Sequence, residues 1–286
     1  MHDILFSWMM VTLALVVAVA YLVRAARVGR AKHMRSDADG GSVLLGKPIM
    51  EMGYWLLSPV ARLLHRLGVT ANMVTGFSLM PGLLAGVAVA FDQFGLACAL
   101  ATFSSLCDLL DGLLAREGKT SSDAGELFDA TVDRHVEFFL MGGLVFHYRQ
   151  QPLILILSLL ALLGAFMVSY TTAKAEALRI EPPRGAMRRA ERAIYLITAT
   201  GLTPFCQTLT SGSNPFIREA PLVIATIVVA LVSNVSSAKR QLSIAHQIRE
   251  RDGANCRRPS TRPPEAKPLD VGEYRIAAEP PAGLAS

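Results

Sequence analysis

The residues that could do chemistry in this chain are aspartates at the ends of two apolar segments. Asp108 and Asp111 are three positions apart, and Asp129 and Asp133 are four apart, so each pair shares one face of a helix. The short segment between the pairs makes the two helices antiparallel neighbours. The two faces can therefore converge, and the sequence predicts one site built from all four carboxylates.

Such a cluster needs a positive counterpart, because a carboxylate inside an apolar span costs roughly a few kcal/mol. Arg116 and Arg134 are the neighbouring cations, and both lie at the edge of the pattern. Hard divalent cations are the natural partners of clustered carboxylates, and two metals about 4 Å apart suit phosphate transfer. For Asp123, which lies outside the pattern, helix capping is the simpler expectation.

Two glycines lie beside these carboxylates. Gly112 and Gly125 place no side chain there, so a bulky group can approach the backbone closely. A nucleotide held on metals by its pyrophosphate is such a group.

The composition indicates a membrane protein that crosses the bilayer several times. Hydrophobic residues make up 52% of the chain and charged residues 18%, against a soluble average of about 25% charged. Seven apolar stretches are long enough to be considered as spans. They are Leu5–Val23, Asn72–Phe91, Phe94–Leu114, Glu126–His147, Leu153–Ala173, Ala193–Leu209 and Pro221–Ser237.

The positive charges predict the orientation of these spans. They concentrate in the loops on the aspartate side, which assigns that side to the cytoplasm, with the N-terminus outside and the C-terminus inside. This bias also explains the net charge of +5 without nucleic-acid binding. We expect an N-terminal membrane anchor at 1–30, a linker at 31–48, a membrane domain at 49–245 and a disordered tail at 252–286. Within the domain, Glu51–Gly68 reads as an interfacial helix.

The stretch from Cys107 to Arg134 matches D-x2-D-G-x2-A-R-x8-G-x3-D-x3-D at every fixed position. It resembles the signature of the CDP-alcohol phosphatidyltransferase family. The resemblance implies an all-α, polytopic membrane fold with a six-helix core, here extended by the N-terminal transmembrane helix and the interfacial helix. It also implies a homodimer in the cytoplasmic (inner) membrane and a CDP-lipid such as CDP-diacylglycerol as donor.

The resemblance also assigns roles to residues. Asp108, Asp111 and Asp129 would bind two Mg²⁺ or Mn²⁺ ions, while Asp133 would complete the metal cluster and act as the catalytic general base. The residues implied for the CDP site are Gly112, Ala115, Arg116, Gly125, Asn72 and Thr75. Ala71 stands where the family usually has proline.

Other segments resemble the bacterial phosphatidylinositol phosphate synthase branch of the family. These are Ser169–Leu178, Met187–Arg192 and Phe128–Arg134. The resemblance implies that Lys174, Arg189 and Arg192 bind the acceptor, which would be inositol phosphate or a related polyol. Lys174 replaces an arginine of that branch, and Thr172 replaces a lysine. A phosphatidylglycerophosphate synthase is the alternative within the family.

Two hypotheses of other classes stay open on the sequence. A divalent-cation transporter would also carry carboxylates inside spans, although it predicts them across the membrane depth. A membrane scaffold would bind partners through its tail. The histidines show no spacing to a carboxylate that predicts a further metal site.

Overall fold

The structure is a computed structural model that describes residues 2–28, 47–118, 122–181, 185–210 and 214–257. The predicted linker therefore lies almost entirely outside the described residues, as does 258–286. The described residues are helical apart from short connections. The helices are α1 His2–Val28, α2 Lys47–Arg66, α3 Ala71–Ala90, α4 Phe94–Glu117, α5 Asp123–His147, α6 Pro152–Ala177, α7 Arg189–Leu209, α8 Pro215–Arg218 and α9 Ala220–Arg257, with a 3₁₀ turn at Tyr148–Gln150.

Residues Met1–Ala245 group into one compact unit, separate from His246–Ser286. Six long helices of this unit, α3 to α7 and α9, correspond to the six core segments predicted from the sequence. Helix α9 is longer than its predicted span and includes 252–257, which the sequence assigns to a disordered tail. The all-α, polytopic fold class is confirmed.

Five helices are long and apolar enough to cross a membrane. They are His2–Arg27, Ala71–Ala90, Phe94–Glu117, Pro152–Ala177 and Ala220–Gly253. Helices α5 and α7 fall short of this measure, although the sequence predicts seven spans. The reason is their charge, since α5 carries Asp129, Asp133 and Glu137, and α7 begins with several charged residues.

Local signals account for where the helices begin. The Thr70 side chain caps α3 by accepting a hydrogen bond from the Met73 amide. Ser122 caps α5 in the same way by accepting from the Gly125 amide, and Asp123 lies in the first turn. Pro152 opens α6, where its missing amide proton costs no hydrogen bond.

Helix α3 packs most extensively on α4 and α5 and so brings the aspartate-bearing helices together. Its crossing with α5 depends on two glycines, because a Cβ on either Gly86 or Gly143 would collide with the backbone of the opposite helix. The backbones meet there in direct contact. The crossing therefore fixes the position of α5 along the axis of α3. Asp129 and Asp133 are carried on α5, so their positions are fixed with it.

Helix α1 packs against the core. Asp3 accepts a hydrogen bond at 3.0 Å from the Leu96 amide in the first turn of α4. A carboxylate is favourable at that position because amide groups and the helix dipole make a helix N-terminus positive. Trp8 packs edge-on against Phe205 of α7, with 5.0 Å between ring centroids. The helix predicted as an anchor thus also contacts the helices that hold the site.

Helix α2 is amphipathic. Tyr54, Leu57 and Ala61 are buried against leucines of α4, including Leu110. Arg62, His65 and Arg66 in the last turns of α2 are exposed. This pattern fits the predicted interfacial helix.

Candidate active site

Three of the predicted carboxylates meet at the junction of α4 and α5. Asp108 and Asp111 come from the last turns of α4, and Asp129 comes from the second turn of α5. One carboxylate oxygen from each lies within 4.8 Å of the other two. The three side chains are buried or half-buried. Their carboxylates therefore lie close together and are partly shielded from water.

Thr75 of α3 orients Asp111. Its hydroxyl lies 2.5 Å from Asp111 Oδ2 and 3.0 Å from the Ala71 carbonyl. It has one proton to donate, and the shorter distance favours the carboxylate. A residue that the sequence assigns to nucleotide binding therefore also contacts a predicted metal ligand.

The fourth carboxylate, Asp133, is paired with Arg189 at the start of α7. Arg189 Nη1 lies 2.5 Å from Asp133 Oδ2 and 2.9 Å from Asp108 Oδ1. Asp133 is not part of the three-oxygen group. Arg189, which the sequence assigns to the acceptor, is thus the cation that bridges the two aspartate pairs.

The arginines closest in sequence contribute less. Arg134 Nη1 is 3.9 Å from Asp133 Oδ2. Arg116 is exposed, and its guanidinium lies over the Tyr54 ring of α2, 5.7 Å from the centroid. Sequence reasoning weighed only these two arginines against the aspartates, because Arg189 is distant in the chain.

Arg192 requires a correction. Its side chain is 1% exposed, and its Nε and Nη2 donate to the two Glu137 oxygens at 2.6 and 2.9 Å. Its Nη1 donates to the Met187 carbonyl at 2.6 Å. Each nitrogen of the guanidinium donates a hydrogen bond to a protein oxygen, so this geometry does not support the predicted contact with an acceptor. Arg192 instead ties the start of α7 to α5.

Sequence reasoning missed Glu137, although a signal for it exists. Glu137 lies four positions after Asp133 and eight after Asp129, on the same face of α5. A third carboxylate on that face requires a buried cation on a neighbouring helix. Arg192 is that cation, and the pair fixes α7 beside the aspartates.

The start of α7 is held by a second acid. Glu191 Oε2 accepts the Met187 amide at 2.7 Å and the Arg188 amide at 3.3 Å. Met187 has a positive φ of 61°, an uncommon conformation for a residue with a side chain. These two hydrogen bonds hold the turn before α7 in place. They therefore fix the position from which the Arg189 side chain reaches the aspartates.

Residues predicted for the nucleotide lie on two sides of the aspartates. A Cβ on Gly125 would lie 3.5 Å from Asn72 Oδ1, so α3 and α5 approach closely there. Gly112 and Ala115 are half-buried on α4. The structure therefore brings Asn72, Thr75 and Gly125 together beside the carboxylates, while the Arg116 guanidinium lies over α2.

A second missed residue is Arg240 of α9. It is 7% exposed and donates from Nη1 to the Thr172 hydroxyl at 2.8 Å. Its Nε is buried and has no hydrogen-bond partner among the described residues. Arg188 and Arg192 repel its charge, and Glu191 attracts it. In the sequence Arg240 looks like one more loop cation, and no local motif distinguishes it. Lys174, by contrast, is exposed near the end of α6.

The donor set of the three aspartates fits a hard divalent cation. Carboxylate oxygens are the ligands that Mg²⁺, Mn²⁺ and Ca²⁺ prefer, and the 4.8 Å limit among them allows a shared ion. Among the described residues, the nearby Arg189 makes ion pairs with Asp108 and Asp133.

Comparisons with known proteins agree with this geometry. The family model described as CDP-alcohol phosphatidyltransferase matches residues 68–236. The phosphatidylinositol phosphate synthase of Mycobacterium tuberculosis is 32% identical over 196 residues, covering 65% of this chain and 83% of that protein. The enzyme of the same name from Streptomyces avermitilis is 27% identical over 222 residues, covering 76% and 88%.

Solved structures of the Mycobacterium tuberculosis enzyme share the fold. The one in complex with manganese and citrate has a TM-score of 0.59 at 25% identity, covering 66% of this chain and 88% of that one. The one with CDP-DAG bound has a TM-score of 0.58 at 25% identity, covering 66% and 92%. The matched region contains all four aspartates, Arg189 and the helices that hold them, and on this ground the chain belongs to the CDP-alcohol phosphatidyltransferase family.

Proposed function

We propose that this enzyme transfers the phosphatidyl group of CDP-diacylglycerol to a hydroxyl of inositol phosphate and releases CMP. The observation that carries the proposal is the convergence of three carboxylates within 4.8 Å, with Asp133 and Arg189 directly beside them. The donor is supported by the relative solved with CDP-DAG bound, and the acceptor by the names of the relatives.

Asp108, Asp111, Asp129 and Asp133 would hold two Mg²⁺ or Mn²⁺ ions. The solved relative in complex with manganese supports this choice of metal. When bound, such ions neutralise the pyrophosphate and stabilise the negative charge that grows on the leaving CMP. Thr75 contributes by fixing the direction of the Asp111 carboxylate.

The proton is handled by Asp133. As general base it takes the proton of the acceptor hydroxyl, whose oxygen attacks the phosphorus that bears the lipid. The bond from that phosphorus to the bridging oxygen breaks, and CMP leaves with the bonding electrons. Arg189, in contact with both Asp133 and Asp108, holds the base in place between the donor and the acceptor.

The nucleotide is assigned to Asn72, Thr75, Gly112, Ala115, Arg116 and Gly125. Gly125 lies beside Asn72, because a Cβ there would come within 3.5 Å of the Asn72 amide oxygen. A side chain at Gly125 would occupy the space that a nucleotide approaching the aspartates requires.

A phosphorylated acceptor is supported by Arg240. It is buried, and its Nε has no hydrogen-bond partner among the described residues, with Arg188, Arg192 and Glu191 as the charges nearest to it. A phosphate supplies the acceptor oxygens and the negative charge that such a guanidinium lacks. Arg240 also bonds Thr172, the position where the sequence lacks the lysine of the similar branch. We assign Arg240 and Arg189 to that phosphate, with Lys174 at the entrance.

We place the enzyme in the cytoplasmic membrane as a homodimer. The aspartate end would face the cytoplasm, the N-terminus would be outside and the C-terminus inside. The support is the concentration of basic residues in the loops beside the aspartates.

The test is CMP release by the purified full-length protein with CDP-diacylglycerol, Mg²⁺ or Mn²⁺, and a panel of acceptors. We expect turnover with inositol phosphate that exceeds turnover with inositol or glycerol 3-phosphate, and none with Asp133→Asn. CMP release with glycerol 3-phosphate alone would make the enzyme a phosphatidylglycerophosphate synthase. Divalent-cation uptake by liposomes with no CMP release would favour a transporter.

The matched pair Arg240→Gln and Lys239→Gln tests the phosphate contact. The two residues are neighbours on α9, but Arg240 is buried and Lys239 is exposed. Arg240→Gln should raise the KM for inositol phosphate about tenfold or more, as expected on loss of a charge-assisted hydrogen bond, whereas Lys239→Gln should not change it. An equal KM in the two variants would remove Arg240 from the acceptor site.

A further inference from the structure

Three residues meet at the opposite end of the same helices. Asp92 lies in the α3–α4 turn, His147 ends α5, and Glu219 lies between α8 and α9. One ligand atom from each lies within 4.8 Å of the other two. His147 Nε2 is 2.9 Å from Glu219 Oε2, and its Nδ1 is 3.6 Å from Asp92 Oδ1. We call these residues the histidine group.

The histidine group is separate from the aspartates. His147 lies fourteen positions after Asp133 on α5, which corresponds to about 21 Å at a rise of 1.5 Å per residue. No ion could be shared between the two places. The proposed reaction uses none of these three residues.

The charges of the histidine group do not balance. Glu219 is 6% exposed, and its carboxylate and that of Asp92 make ion pairs only with His147 among the described residues. The nearby Arg149 donates to the Phe146 carbonyl and stacks on the Phe146 ring at 4.4 Å. A protonated imidazole supplies one positive charge for two carboxylates, one of them buried, whereas a divalent cation supplies two.

Tyr148 gives a second, independent indication. The residue is fully buried, and its hydroxyl has no hydrogen-bond partner of good geometry in the described part of the chain. Its hydroxyl lies within range of the Glu219 and Asp92 carboxylates, and its ring packs edge-on against the His147 ring with 4.6 Å between centroids, so Tyr148 borders the histidine group. A buried hydroxyl without a partner is uncommon and requires an explanation such as a bound ion or its water.

We propose that Asp92, His147 and Glu219 form a second metal site, one that takes Zn²⁺ or a similar transition ion. Zinc accepts imidazole nitrogen and carboxylate oxygen together and is commonly held by three protein ligands and a water. Mg²⁺ and Ca²⁺ prefer oxygen ligands throughout. The ion replaces the hydrogen bond between His147 and Glu219, and the Tyr148 hydroxyl bonds the coordinated water.

The consequence of this site is structural. An ion there joins the α3–α4 turn, the end of α5 and the start of α9, which are distant in the sequence. Asp92 is the exposed member, with 65% of its side chain accessible, so it provides the route by which the ion enters. The other two ligands are buried and hold the site together.

The test is Zn²⁺ binding by the full-length protein in detergent after treatment with a chelator, measured by competition with a chromophoric chelator. The variant Asp111→Asn is included because it removes a proposed metal ligand at the aspartates. Zn²⁺ that still binds this variant can then be assigned to the histidine group. We expect one Zn²⁺ to bind Asp111→Asn, and its affinity to fall at least about tenfold when His147→Gln or Asp92→Asn is added to Asp111→Asn. His65→Gln, an exposed histidine on α2, is the matched control and should leave the affinity of Asp111→Asn unchanged.

Thermal unfolding provides the second readout. Zn²⁺ should raise the midpoint of Asp111→Asn with or without His65→Gln, and should not raise it once His147→Gln is added. If His147→Gln does not fold, Asp92→Asn decides, because Asp92 is exposed. Equal Zn²⁺ affinity in Asp111→Asn with and without Asp92→Asn, or loss of the ion in Asp111→Asn, would overturn the proposal.

Discussion

The two ends of the α4–α5 pair hold charged groups of different chemistry. At one end, Asp108, Asp111 and Asp129 offer oxygen alone and are accompanied by the arginine of α7. At the other end, the histidine group offers two oxygens and one imidazole nitrogen, with a buried tyrosine beside it. The proposed hard-cation site and the proposed softer site lie about 20 Å apart on one helical scaffold, so each end supplies controls for the other.

The largest difference between the ends should appear in catalysis. Asp129→Asn removes a charge from the three-carboxylate group, and CMP release should fall roughly a hundredfold to a thousandfold, as expected when electrostatic stabilisation of the transition state is lost. Asp92→Asn at the other end should leave the rate within about twofold. The measurement is steady-state CMP release at saturating donor. Equal losses in the two variants would show that the ends do not act separately.

The next effect concerns the buried pair that ties α7 to α5 near the aspartate end. Arg192→Met leaves Glu137 buried without its partner, so the free energy of unfolding should fall by about 3–5 kcal/mol. Adding Glu137→Leu to Arg192→Met should recover much of that loss, because both charges are then gone. Thermal unfolding in detergent measures this.

The exposed pair of His246 and Glu250 on α9 is the control for that experiment. Its side chains are about 70% accessible, and Glu250→Gln should leave the unfolding midpoint unchanged, as is usual for surface pairs. If Arg192→Met is as stable as Glu250→Gln, the Glu137–Arg192 pair does not hold α7 in place.

The glycine crossing lies on the histidine side of the scaffold and should give a smaller loss. A Cβ on Gly143 meets the backbone of α3, whereas a Cβ on the adjacent Gly142 lies 4.0 Å from Phe138, an ordinary contact. Gly143→Ala should therefore lower the free energy of unfolding by about 1–3 kcal/mol through overpacking. Gly142→Ala should be neutral or slightly stabilising. Indistinguishable unfolding midpoints in the two variants would contradict the close crossing.

The smallest effect should come from the cap on α4. Asp3→Ala removes the acceptor for the Leu96 amide and should cost about 1 kcal/mol in unfolding free energy. Asp3→Asn keeps an oxygen acceptor but loses the charge, so it should lie between Asp3→Ala and wild type. His2→Gln, an exposed neighbour, is the control. Equal unfolding midpoints for Asp3→Ala and His2→Gln would show that Asp3 does not stabilise the start of α4.

Much of the fold was predictable because helix signals are local. Thr70 caps α3, the apolar runs give the long helices, and the spacing of the aspartates places them on facing sides of α4 and α5. The number of apolar spans was less predictable. Helices α5 and α7 carry charges, and the buried ion pair between Glu137 and Arg192 joins two of them across segments that are distant in the sequence.

The candidate site was predictable where the motif is contiguous and was not where partners come from distant segments. Asp111 contacts Thr75, which the family resemblance had assigned to the same site. The sequence assigned both Arg189 and Arg192 to the acceptor, whereas Arg189 pairs with Asp133 and Arg192 pairs with Glu137. The histidine group is beyond sequence reasoning, because His147 lies far along the chain from both Asp92 and Glu219. Tertiary packing alone brings such residues together.

The most direct test of the central claim is an anomalous-scattering map from crystals of the active enzyme soaked in Mn²⁺. The account predicts density bonded to the carboxylates of Asp108, Asp111 and Asp129, as two peaks about 4 Å apart if both proposed ions are present, and loss of that density in Asp129→Asn. Active crystals in which the three carboxylates hold no Mn²⁺ would contradict it.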